Sequence, residues 1–319
     1  MAWIASLTRI SEGELDRLIK RIGVILLIGT VAFLGFYVFD RWRPAAPPMI
    51  DREIASLEAA VRADPADIVA RGQLADAYLV AERYDDAVAT YSEILTTGKA
   101  DELARFGRAR AYQALGNLEG AKADFQAVVD IAREGEMAHV DPMLNAAFYG
   151  LGSIALEEDE PAEAIQFLAA AVAIKRSDAD ALNLLGTAYV RNGEPAKAIE
   201  PLRLAISFVP VGWSEPYATL AQAYRDTGDG TRAEWAAAMS EISSGSYAAA
   251  EERLLAIRDG ETAVDALIGL AILEEVQGNA NAAAAWYEQA LVLEPENPSA
   301  LLGLSRVAVP EATGEEAPE

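Results

Sequence analysis

Few residues in this chain are able to do covalent or metal chemistry. Among 319 residues there is one histidine, His139, and no cysteine. One imidazole cannot build a histidine-based metal site, and the missing thiol removes disulfides, thiolate ligands and a cysteine nucleophile. No glycine-rich phosphate loop, nucleophile elbow or zinc-type spacing occurs. Aspartate and glutamate are abundant, but on helices such pairs are solvated faces far more often than acid–base dyads, and they give no local spacing for a hard cation. The expectation is no catalytic residue, no cofactor and no metal: not an enzyme.

The charge points the same way. The net charge is −24, yet residues 1–43 carry six Lys/Arg against four acids, so the remainder is strongly acidic. Such a body repels nucleic acid and anionic headgroups. The acidity reads as solubility rather than as a site for one basic partner. Composition is 52% hydrophobic but only 8% aromatic, with much alanine. Small apolar residues let helices pack closely without a thick core, as in repeat arrays.

Residues 22–39 form an uninterrupted run of uncharged, mostly apolar residues between Lys20-Arg21 and Asp40-Arg41-Trp42-Arg43. As a helix the run spans about 27 Å, at the lower edge of what a bilayer needs. Tyr37 and Trp42 stand where interfacial aromatics belong. Residues 1–21 read as an amphipathic juxtamembrane segment: Trp3, Ile4, Leu7 and Ile10 share an apolar face, and Ser11 with Glu14 forms a capping box. The acids ahead of the run and the Asp-Arg-Trp-Arg-Pro after it argue against a cleaved signal peptide. The Pro-rich linker 40–50 (Pro44, Pro47, Pro48) argues against a core helix. Arg9, Arg17, Lys20 and Arg21 precede the run, and Arg41, Arg43 and Arg52 follow it. The positive-inside rule thus leans by one charge to a single-pass inner-membrane anchor with a cytoplasmic N-terminus and an extracytoplasmic body.

Beyond the linker the chain aligns to itself at about 34 residues. In 179–212, Leu182, Leu185, Gly186 and Tyr189 share one helical face, Asn192-Gly193 makes a turn, and Ala198, Leu202 and Ala205 follow on a second helix ending at Pro210. Gly186 is expected to admit the second helix, facing Ala198. The positions recur as Leu74, Ala75, Tyr78, Ala87 and Tyr91 in 68–101, and as Ala109, Tyr112, Gly116, Ala121 and Phe125 in 102–135. Units 145–178, 214–247 and 264–297 repeat them around Gly152, Ala221 and Ala271.

On these residues the chain resembles the tetratricopeptide repeat (TPR) family, in its membrane-anchored bacterial form, over residues 51–309. The fold expected is all-α: an N-terminal transmembrane helix, then an α-α superhelix. Glu82 and Asp159 stand where the turn glycine belongs, so those hairpins are expected to close less tightly. Helix 246–257 is irregular and places a phase slip near 231–257. Residues 51–63 form a half unit, and Asn297-Pro298 starts a capping helix. Pro201 is expected to bend the outer face of its helix, and the acidic tail 310–319 to be disordered.

The resemblance implies that first helices line a concave groove that holds partner proteins. The family's groove positions fall on Arg110, Gln113, Tyr149, Ser153, Asn183, Thr187, Arg191, Gln222 and Arg225. Asn183 there suits a peptide backbone, and Arg110, Arg191 and Arg225 would form a basic stripe for carboxylates. The Lys/Asn set that some members use for a C-terminal carboxylate is not matched. The function implied is a membrane-anchored scaffold for assembly or quality control of envelope complexes. Its layout is similar to that of anchored TPR proteins of cytochrome c maturation, lipopolysaccharide assembly control and translocon quality control. Partners are other proteins through the groove and the lipid bilayer through 22–39, with no nucleic acid or small-molecule substrate. A self-assembling structural protein is the alternative.

Overall fold

A computed structural model describes residues 48–308 apart from Ala100. The expected juxtamembrane segment, the anchor 22–39, most of the linker and the acidic tail lie outside the described residues. Among the described residues no helix is long and apolar enough to cross a membrane. The chain divides into two compact units, Met1–Ala55 and Ser56–Glu319. Of the first, the described part is the start of helix α1 (Met49–Ala63).

The second unit is all-α, a TPR-like solenoid. After the end of α1 come α2 (Ile68–Val80), α3 (Tyr84–Thr96), α4 (Asp101–Ala114), α5 (Leu118–Ala132), α6 (Pro142–Glu157) and α7 (Pro161–Ile174). Then follow α8 (Ala179–Arg191), α9 (Pro195–Phe208), α10 (Ser214–Asp226), α11 (Gly230–Ser243) and α12 (Tyr247–Ile257). The last are α13 (Ala263–Val276), α14 (Ala280–Leu293) and α15 (Pro298–Val307). From α2 on, each helix packs on the next, and the first helices α2, α4, α6, α8 and α10 are also neighbours in that order.

Local chemistry sets the helix ends. The carboxylates of Asp67, Asp141, Asp178 and Asp229 accept from backbone N–H groups of the first turns of α2, α6, α8 and α11, donors that a helix leaves unpaired. Within a hairpin the first helix ends in a left-handed residue followed by a six-residue closing bond. Gly193 has φ 74°, and Glu194 N–H donates to Tyr189 O at 2.9 Å. Glu82 and Asp159 adopt the same conformation at φ 58°, and their hairpins close with bonds of 2.8 Å. The expected looser closure is thus corrected: two carboxylate residues take the left-handed position, and its cost falls on their own backbones.

Close helix approach rests on small residues pressed by large ones. A methyl group at Gly186 would lie 2.4 Å from Leu202 Cγ, and one at Gly152 2.4 Å from Leu168 Cγ. The residue that fills the space over Gly186 is therefore Leu202. Each of these buried leucines contributes about 1.5–3 kcal/mol. Pro201 is buried inside α9, which runs on through it, so it does not sit on an outer face.

The array breaks its alternation once. The six-residue closing bond normally joins a first helix to a second. It occurs between α10 and α11 (Asp229 N–H to Tyr224 O, 2.9 Å) and again between α11 and α12 (Ser246 N–H to Glu241 O, 2.8 Å). Helix α11 is the second helix of one hairpin and the first of the next. Ala233 and Ala238 serve its two roles, both fully buried, and no residue from Ala233 to Ser243 is exposed. The ordinary second helix α7 exposes Ala162, Gln166, Ala169 and Ala173. Arg253 of α12 ties the extra pair by bonding both Glu234 and Glu241 of α11.

Candidate functional site

On a first helix two positions flank the small packing residue on the open side: the one three before it and the one just after it. On α6 these are Tyr149 and Ser153, and on α8 Asn183 and Thr187, all half-buried or buried. Helices α6, α8 and α10, which carry these residues and Gln222, are neighbours in that order. Asn183 is 2% exposed, and its Oδ1 has no hydrogen-bond partner; neither has Thr187 Oγ1, one turn on. Two unpaired acceptors at i and i+4 leave that face of α8 unsatisfied. Burial, then the charges of Asp180, Asp178 and Glu215, push the Tyr149 hydroxyl above its ordinary range, so it stays a donor.

The arginines lie in different settings. Arg110 is exposed on α4 and lines a 300 Å³ cavity with Gly72, Asp76 and Phe106, where Tyr91 donates its hydroxyl to Asp76. Gln113 is half-buried one turn further along α4. Arg191 donates through Nη1 to Leu156 O at 3.0 Å and thereby closes the carbonyl end of α6. Arg225 bonds Gln222 Oε1 at 3.0 Å, and Gln222 in turn donates to Asp226 at 2.7 Å. Two of the three guanidinium groups thus already hold protein oxygens. His139 sits exposed on a short 3-10 turn, Ala138–Val140.

A second site was not read from the sequence. Where α11 doubles its role, a cleft of 810 Å³ opens between the end of α9 and α15. Its floor is α13, whose open-side positions are Ile268 and Ile272, with Val276 one turn on; Ile206, Tyr217, Trp235 and Leu302 wall it. Tyr217 and Trp235 meet edge to face with ring centres 6.0 Å apart. Burial pushes the Tyr217 hydroxyl up to about 12, and it donates to Pro210 O at 2.8 Å. At the far end Arg306 bonds Glu275 at 2.8 and 3.0 Å, and Tyr287 donates to the same carboxylate at 2.8 Å. Arg306 holds the Glu275 carboxyl below its usual range, against the opposing effect of burial. Asp265, at the near end, keeps an exposed surface, and the surrounding cleft walls raise its carboxyl against the opposing charges of Arg203 and Arg232. The signal that points here is the sequence of α13, AVDALIGLAILEEV, apolar on every side over its middle turns and so in need of cover on more than one face.

With this geometry in place, the comparisons with known proteins are direct. The family model described as tetratricopeptide repeat matches residues 73–136, 106–179 and 235–300. No curated protein matches the chain. Among solved structures, the C-terminal part of a TPR repeat-containing protein from Cytophaga hutchinsonii is 18% identical, with a TM-score of 0.51, covering 80% of this chain and 94% of that one. BtubC from P. vanneervenii is 19% identical at a TM-score of 0.52, covering 62% and 92%. YrrB, titled a TPR protein with an unusual peptide-binding site, is 17% identical at 0.50, covering 61% and 96%. At these identities the likeness concerns the fold.

Proposed function

This chain belongs to the tetratricopeptide repeat family, and from that premise we propose that it is a membrane-anchored scaffold whose first-helix face holds other proteins. The observation that carries the reading is the run of half-buried polar residues on consecutive first helices, Tyr149 and Ser153 on α6 and Gln222 on α10, in a chain of this family. Asn183, buried beside them, and Thr187 complete the face, with Arg110, Gln113, Arg191 and Arg225 around them as groove residues.

The anchor in this proposal is 22–39, in the inner membrane, with the N-terminus cytoplasmic and the repeat body outside. Its task is the assembly or quality control of envelope complexes. The hydropathy of 22–39 and the one-charge excess ahead of it support this topology. The chain has no native cysteine, so a single one at the exposed Thr231 or Gly260 reports the side occupied. Labelling of intact cells by a membrane-impermeant thiol reagent supports an exported body; labelling only after lysis overturns it.

Co-precipitation from solubilised membranes tests the binding role. Partner recovery should fall when Arg191 and Arg225 are both changed to Glu, because reversed charge then lines the open side of α8 and α10. Unchanged recovery removes the stripe from the account. Helix α15, which leaves Leu301 and Leu302 exposed, supports a second reading, self-association. A single-protomer mass for the full-length chain counts against it.

A further inference from the structure

Along α13, Asp265, Ile268, Ile272 and Val276 fall at i, i+3, i+7 and i+11. One helix face thus presents a carboxylate followed by an apolar stripe about 17 Å long in all. The equivalent face of α8 carries Asn183, Thr187 and Arg191. Ile268 and Ile272 are half-buried on the cleft floor, while Val276 is 42% and Leu302 61% exposed. A contiguous apolar surface in a walled cleft is a place for a partner rather than for water.

Two features narrow the occupant. Most polar groups in the lining, Ser207, Glu275, Tyr287, Asn297 and Arg306, are already bonded within the protein, so a helix, whose backbone bonds are internal, loses far less on entering than an extended segment. The other is Asp265: it is exposed at the near end of the cleft, Arg203 and Arg232 lie near it without coming within ion-pairing distance among the described residues, and Arg232 already bonds Asp229. The chain's own residues 309–319 follow α15 directly, but they carry Glu311, Glu315, Glu316 and Glu319 and little apolar surface. Their charge has the same sign as Asp265, and they lack the apolar face that the floor calls for.

We propose that this cleft binds an amphipathic helix of about three turns from a partner protein, its apolar face on Ile268, Ile272 and Val276 and a lysine or arginine of its own against Asp265. This rests on the protein-binding role proposed above and gives it a partner of defined chemistry.

The test uses the full-length chain in bilayer discs and two labelled synthetic amphipathic helical peptides, alike except that one carries lysine and the other glutamate beside the apolar face. Fluorescence anisotropy should show the lysine peptide bound and the glutamate peptide bound more weakly. Asp265→Lys should weaken the lysine peptide about tenfold or more and strengthen the glutamate one. Val276→Glu, at an exposed position that leaves the fold intact, should weaken both. Arg191→Glu/Arg225→Glu should leave both within about twofold, as those residues lie off the cleft. Absence of lysine-peptide binding to the unaltered chain overturns the proposal, as does an affinity unmoved by Asp265→Lys or Val276→Glu. If co-precipitation responds to the Arg191/Arg225 pair while the peptides ignore the cleft variants, the scaffold stands and the cleft assignment alone falls. If recovery ignores that pair while the peptides behave as expected, the stripe falls and the cleft stands.

Discussion

Helix α8 places Asn183 three residues before its small packing residue and Thr187 just after it; α13 places Ile268 and Ile272 at those positions. Behind them the construction is alike. Gly150, two residues before the small packing residue of α6, receives Phe125 from the second helix of the pair before it, and Gly269, two residues before Ala271 of α13, receives Leu254 in the same way. Packing dictates the small residues and leaves the open side free to differ. Across α6, α8 and α10 that side is polar and partly bonded within the protein, and across α13 it is apolar and walled. The cause of the wall is α11, which faces α13 because it serves as a first helix as well as a second. One repeated turn therefore converts a shallow polar face into an apolar cleft, with no change in the local rules of the hairpin.

The largest expected effect breaks the regular half. Asp124 of α5 is buried and takes two bonds from Arg108, at 2.7 and 2.9 Å, with Arg105 at 3.5 Å. Asp124→Ala leaves the Arg108 guanidinium without its carboxylate, while Arg105 keeps Asp101 at 2.8 Å, and should cost about 3 kcal/mol in chemical unfolding. Next comes the double role of α11. Ala238→Leu should destabilise by about 2 kcal/mol through overpacking, and Ala233→Leu by a similar amount, whereas Ala169→Leu on the exposed side of α7 should change stability by less than about 0.5 kcal/mol. Equal tolerance at the three alanines would remove the distinction between α11 and an ordinary second helix.

Smaller effects sharpen the comparison at turns and ends. Glu82→Gly and Asp159→Gly should each stabilise the regular half by up to about 1 kcal/mol, because glycine takes the left-handed position without strain. Gly245→Ala in the repeated turn, where φ is 84°, should cost about 1 kcal/mol in the same assay. Smallest is Arg306→Gln at the end of the cleft, about 0.5–1 kcal/mol at neutral pH, since the guanidinium is partly exposed. Its sign with pH follows from Glu275, whose carboxyl is held low in the folded chain. That stabilisation is present above the ordinary glutamate range and is lost as pH falls through the lowered folded value. The gap between Arg306→Gln and the unaltered chain should therefore close on acidification.

Much of the fold is legible in the sequence, because small residues and tyrosines at helical spacing recur at a fixed period and each recurrence reports the same packed face. The misread details share one cause, contacts that spacing alone does not contain. Glu82 and Asp159 look like poor turn residues until the closing bond to the preceding helix is seen. Pro201 looks external until α9 is packed. Arg191 looks free until it meets Leu156, 35 residues away. The cleft draws on residues from Ile206 to Arg306, and its only local trace is α13, apolar all round where its fellows keep a polar side.

The central claim is that partners lie on the first-helix face. Backbone hydrogen exchange on the full-length chain, with and without a co-precipitated partner, tests it most directly. The account predicts added protection in α6, α8 and α10, or in α13, α15 and the end of α9 for a cleft-bound helix, with α7 unchanged. Protection confined to the second helices α7 and α9 would contradict it.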